Sequence, residues 1–137
     1  PSNKKLIYQR NRIRNLMSNF KQEGFDSKKL KLTINNLKAS DDTINFYVEK
    51  NIQINSKFNR KKNFYILNKD FFNQSNEVVF RSFSLILKSI GKKYYLPRGK
   101  SISESISKIQ SNKVLKITLG GCIIQKINET LLISSEF

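Results

Sequence analysis

Apolar residues recur along this chain in two rhythms, and the change from one to the other divides it. From about Gln9 to Lys21, Ile13, Leu16, Met17 and Phe20 fall three or four positions apart, the spacing that gathers side chains on one helix face. The first eight residues lack that rhythm and predict a loop, while Gly24 is a stop signal. A second helix is predicted after Asp26 or Ser27, either of which can cap it. Its apolar stripe is Leu30, Ile34, Leu37, Ile44 and Val48, interrupted only by Asp41, and Lys28, Lys31, Asn35 and Lys38 opposite it read as a solvated face. Residues 51–63 are polar, basic and aperiodic, and predict a connector.

Phe64–Leu67 is a short β-like run, and Asn68 is placed to cap a brief turn through Phe71 and Phe72. Ser75 then precedes a helix whose buried face is Val79, Phe83, Ile86, Leu87 and Ile90, with Gly91 as its stop and Arg81, Leu85 and Lys88 away from the stripe. A loop, KKYYLPRGK, follows. Ser101 is the expected cap of a short helix carrying Ile102, Ile106 and Ile109, with Glu104 as its capping-box partner. Beyond it the period falls to two: Leu115, Ile117 and Leu119 alternate with Lys116 and Thr118, Gly120-Gly121 breaks the run, and CIIQKI and TLLIS flank Asn128-Glu129. This predicts a three-stranded antiparallel meander. The fold class expected is α+β, a helical N-terminal half followed by a small domain with helices packed on a short antiparallel sheet.

Composition adds a field to this outline. The 137 residues suit one domain, or a small domain with an appendage, and carry 26 lysines and arginines against 10 acidic residues, a formal charge of +16. Such a chain attracts polyanions, nucleic acid first. Lys, Asn and Ile also have the most A- and T-rich codons, so genome bias is a second source of the charge. Arginine is more informative, because its planar fork grips phosphate at two points. Three of the chain's arginines, Arg10, Arg12 and Arg14, stand together in RNRIR, and Arg10, Arg14 and Lys21 share a face distinct from the apolar one. In KKYYLPRGK, cations alternate with aromatic rings, a combination that suits RNA; Tyr94 and Tyr95 read equally as half-buried rings at a domain edge.

The chemistry that is missing narrows the function further. Cys122 is the one cysteine and there is no histidine, which excludes an internal disulfide, Cys/His zinc sites and a histidine base. Cys122 itself, inside an apolar strand, reads as core. No run approaches the roughly 18 apolar residues that span a bilayer, and the basic start lacks a signal peptide's apolar segment, so a soluble, cytoplasmic protein is expected. No nucleophile with its base is visible and no phosphate-cradling loop precedes a helix. From the residues alone the chain is a binding module.

Four segments also resemble one family. PSN followed by RNRIR is similar to the Asp-Pro-Ser/Thr-Asn … Arg-Asn-x-Ile/Leu-Arg signature of the tRNA(Ile)-lysidine synthases, which an aspartate before Pro1 would complete. EGFDSKKLKLT resembles that family's next helix start, FRSFSLILKSIGKKYYLPR its arginine-led helix and Tyr-x-Pro-Arg loop, and TLGGCIIQK the Thr-Leu-Gly-Gly-Cys strand turn of some members. The four occur in the family's order across residues 1–135.

The resemblance implies an ATP-dependent ligase that adenylates the wobble cytidine of tRNA(Ile) and lets the amine of free lysine displace AMP, with Mg2+ accompanying ATP. By resemblance Arg10 and Arg14 face the ATP phosphates or the tRNA at the active-site cleft, Arg12 falls at a variable position, and Ser2, Asn3 and Asn11 match the signature as structural positions; Asn3 and Asn11 read as organisers of the loop-to-helix entry. Arg81, Lys88, Arg98 and Lys100 are the candidates for RNA phosphate contacts. The family's Ser-Gly-Gly-x-Asp-Ser ATP loop is nowhere in this sequence. With no initiator Met, the chain is expected to be a C-terminal portion that is inactive alone. On this reading residues 1–25 end the catalytic domain, 26–62 form a helical linker and basic connector, and 63–137 form an α+β tRNA-binding domain. A stand-alone basic RNA- or DNA-binding protein and a structural adaptor are the competing readings.

Overall fold

The computed structural model describes residues 2–24, 26–113 and 116–137, with side chains from Tyr8 onward. Helix α1 spans Ser2–Gln22, so the expected opening loop is helical. Apolar periodicity is blind to this extension because Lys, Gln and Arg are good helix formers and no Gly or Pro interrupts residues 3–23. Gly24, at φ +90°, ends the helix and donates its N–H to the Lys21 carbonyl at 3.2 Å. Helix α2 then runs Ser27–Asn55, capped by Asp26, whose carboxylate accepts the Lys28 N–H at 2.9 Å.

The chain forms two compact units, Pro1–Asp42 and Thr43–Phe137. In the first, the apolar stripes are present without burial: Ile13, Leu16, Leu30, Ile34 and Leu37 are all exposed, Leu37 at 65%. The predicted α2 stripe is therefore divided, since Val48, within the second unit, is 2% exposed.

The second unit is an α+β fold, as the change of rhythm predicts. After α2 come strands β1 (Ser56–Asn59) and β2 (Phe64–Leu67), a 3-10 turn (Lys69–Asn73), helices α3 (Asn76–Gly91) and α4 (Gly99–Gln110), and strands β3 (Lys116–Leu119), β4 (Cys122–Ile127) and β5 (Thr130–Ser135). The five strands form one antiparallel sheet in the order β1-β2-β5-β4-β3. The predicted meander is there, with Leu115 outside the described residues. Residues 51–63 are no connector: they are the last turn of α2, β1 and the turn into β2. Ser-Lys-Phe-Asn escapes a hydrophobic reading because an edge strand buries little.

Register places Leu67 opposite Leu131 and Ile124 opposite Ile133. These side chains meet Phe83, Ile86, Leu87 and Ile90 of α3 and Ile102, Ile106 and Ile109 of α4 in a single core. Full burial of each is worth roughly 1.5–3 kcal/mol. An asparagine ladder ties α2 to this core. Asn51 donates to the Phe71 carbonyl and to Ser82 Oγ, both at 3.2 Å, and accepts from Asn55 Nδ2 at 2.9 Å. Asn68 donates to Asn55 Oδ1 at 3.3 Å and, as predicted, caps the 3-10 turn by accepting the Phe71 N–H at 3.1 Å.

Two caps differ from expectation. Gly91 is the last residue of α3, and the left-handed position falls on Lys92, at φ 51°. Helix α4 starts at Gly99 with Arg98 as its cap residue, so Ser101 lies within the first turn, and Glu104 faces Lys100 at 4.0 Å instead of closing a capping box.

Candidate nucleic-acid interface

The loop Lys92–Arg98 is held by glycines at both of its ends. A Cβ on Gly91 would collide with the Gly120 carbonyl oxygen and lie 3.2 Å from Cys122 Sγ. A Cβ on Gly120 would meet Pro97 Cγ at 2.7 Å, and one on Gly121 would lie 3.1 Å from the Gly91 carbonyl. Gly120 and Gly121 also need positive φ, +59° and +78°, to turn β3 into β4. The Gly121 carbonyl accepts the Glu136 N–H at 2.9 Å, which joins the end of β5 to the same knot. Backbone thus packs on backbone where α3 ends, the Pro97 ring packs on Gly120 just before α4 begins, and the loop between them is presented outward.

What the loop presents is aromatic and cationic. Tyr94 and Tyr95 are 88% and 80% exposed, so they are not half-buried rings at a domain edge. Their rings contact only edge to face, 5.0 Å apart at 76°. Lys92, Lys93, Arg98 and Lys100 are all exposed around them, and no acidic residue occurs between Glu77 and Glu104.

On α3, Arg81 and Lys88 are seven residues apart and so share a side of the helix. Lys88 is exposed. Arg81 is partly buried and committed within the fold, Nε donating to Glu77 Oε1 at 2.8 Å and Nη1 to Asn45 Oδ1 at 3.1 Å. Lys88, Arg98 and Lys100 are the predicted phosphate contacts that stand in solvent, Lys100 beside exposed Glu104.

Arg10, Asn11, Arg12 and Arg14 are exposed on α1, and neither Arg10 nor Arg14 makes a side-chain hydrogen bond or ion pair among the described residues. Ser2 and Asn3 lie on the first turn of α1, with side chains outside the described residues. A cavity of about 460 Å³ lies elsewhere, lined by Lys69, Phe72, Gln110, Lys126 and Glu129 among others. Its cations are engaged: Lys126 Nζ donates to the Ile109 carbonyl at 3.3 Å and to Asn112, and Lys69 pairs with Glu129 at 3.6 Å.

Cys122 is fully buried and donates to the Leu87 carbonyl at 3.4 Å, the core role predicted for it. Burial pushes its thiol up to about 11; nearby Glu136 adds to the rise and Lys93 opposes it. Among the described residues no group of three or more His, Cys, Asp or Glu could hold a metal ion, and no helix is long and apolar enough to cross a membrane.

Sequence reasoning found the cations and tyrosines of this surface and missed the knot beneath them. The signal available was the recurrence of glycine where a helix ends and a strand turns. No protein-family model matches the chain, nor does any curated protein or any solved structure.

Proposed function

We propose that the chain grips tRNA through Lys88 and the loop from Lys92 to Lys100, as part of a cytoplasmic tRNA(Ile)-lysidine synthase that ligates lysine to the wobble cytidine of tRNA(Ile) using ATP. One observation carries this reading. The two resembling segments IGKKYYLPR and TLGGC, distant in sequence, pack against each other through Gly91, Pro97, Gly120 and Gly121, and the loop they hold displays cations and rings outward. Charge holds phosphates and rings stack on bases, the two contacts RNA offers. Arg81, engaged with Glu77 and Asn45, ties α3 to α2 and is not part of the outward surface.

The residues present do not make an ATP site by themselves. Arg10 and Arg14 stand exposed on a helix, and no phosphate-cradling glycine-rich loop occurs in the sequence, so they fit only a supplementary task, neutralising phosphate at the edge of a cleft. In this reading ATP and Mg2+ are held by the domain that carries the Ser-Gly-Gly-x-Asp-Ser loop in this family, and the chain alone is inactive. A stand-alone RNA- or DNA-binding protein is the second reading. It is favoured by residues 43–137 holding both a core of their own and the whole loop.

The test expresses the chain with whatever reading frame precedes Pro1 and follows ATP- and lysine-dependent mass gain on the wobble cytidine of tRNA(Ile). Incorporation is expected, with Arg14→Ala lowering adenylation more than tRNA affinity. A frame without the Ser-Gly-Gly-x-Asp-Ser loop and no incorporated lysine would end the ligase reading; tRNA binding that survived would favour the second.

A further inference from the structure

Building on the RNA reading of this loop, we infer that Tyr94 and Tyr95 form a stacking platform for unpaired nucleotides, so that the RNA held here is a single-stranded segment and not a helical stem. With 88% and 80% of their surfaces in solvent, the two side chains contribute almost nothing to the core. Their perpendicular rings, at 76°, cannot both lie parallel to one continuous stack of bases. A base on each ring would be turned from its neighbour, an arrangement open to a flexible strand and closed to paired, mutually stacked bases. An A-form stem hides its base faces and offers a tyrosine only sugar and phosphate edges.

The surroundings suit a strand passing over the rings. Lys92 and Lys93 precede the tyrosines and Arg98 and Lys100 follow them, without an acidic residue among them, so cations flank the platform on both sides. The contacts of Gly91 and Pro97 with Gly120 fix both ends of the loop, which lowers the ordering cost of binding.

The full chain is titrated with a short single-stranded RNA of mixed sequence and with a blunt RNA duplex of equal length, at one salt concentration. The single strand is expected to bind more tightly and to quench tyrosine emission, which is readable because the chain has no Trp. Tyr94→Ala and Tyr95→Ala should each weaken the single strand about ten-fold and leave the duplex nearly unchanged, whereas Tyr94→Phe and Tyr95→Phe retain the affinity. If RNA binds but the alanine variants match the parent, or the phenylalanine variants lose as much as alanine, the platform is wrong while the RNA reading stands. If neither RNA binds at low salt, the RNA reading itself fails.

Discussion

Gly91 illustrates how a single missing methyl group can decide a local structure. A Cβ at this position would collide with the Gly120 carbonyl oxygen, so Gly91→Ala must push the β3–β4 turn away from α3. A loss of about 1–3 kcal/mol in urea unfolding is expected, the range for overpacking a closed site. Gly99 is the control, because a Cβ there would meet only Phe80 Cζ at 3.6 Å, and Gly99→Ala is expected to be neutral or slightly stabilising. Cys122, beside the same knot, yields a pH prediction. Its folded thiol value, about 11, lies above the ordinary 9.0, so the native state keeps a proton that the unfolded state releases as pH rises between those values. Whatever stability this linkage contributes is fully present below pH 9 and is lost toward pH 11. Cys122→Ala should therefore show a shallower alkaline decline in urea midpoint than the parent, and the native parent should resist thiol reagents at pH 8 until it is unfolded. Equal slopes in the two proteins would contradict the assignment.

Helices and strands were legible where burial and periodicity coincide. The face of α3 from Val79 to Ile90 and the alternation in β4 and β5 are of this kind, because each apolar position there has a partner across the core. The end of α2 was illegible for the opposite reason. Asn51 and Asn55 are buried, at 2% and 8% exposure, yet they are polar and satisfy one another through the ladder, so a search for apolar positions passes over them. Asn51→Ala would leave the Phe71 carbonyl and Ser82 Oγ without this donor and should cost roughly 1–3 kcal/mol. In the first unit periodicity misleads in the other direction, since Ile34 and Leu37 of the predicted stripe are 53% and 65% exposed. Ile34→Ser and Leu37→Ser are accordingly expected to change unfolding free energy by no more than about 0.5 kcal/mol, the effect of ordinary surface substitutions. In the candidate site, the cations and tyrosines could be read from composition, but the pairing of Gly91 with Gly120 could not, because backbone contact between distant segments leaves no periodic trace.

For the whole molecule, the excess of 26 basic over 10 acidic residues makes the proposed affinity for RNA an ionic-strength question before it is a sequence question. Genome bias and selected phosphate contacts make different predictions about that dependence. A diffuse field spread over the surface would respond little to the loss of any particular pair, whereas phosphate contacts are discrete, each contributing about 0.7 to the slope of log affinity against log salt for a single strand. The geometry separates the cations into two groups. Arg98 and Lys100 flank the exposed tyrosines and reach solvent, while the Arg81 guanidinium is held by Glu77 and Asn45. Replacing Arg98 and Lys100 together by alanine should lower the slope by roughly 1.4 and weaken binding most at low salt. Arg81→Ala should instead lower the urea midpoint and change the slope by less than one contact's worth, because it removes a support and not an outward charge. The measurement is RNA affinity at four or more salt concentrations for the parent and both variants. A slope unchanged by the double substitution would assign the binding to the diffuse field, and the loop would then have to be judged on its tyrosines alone.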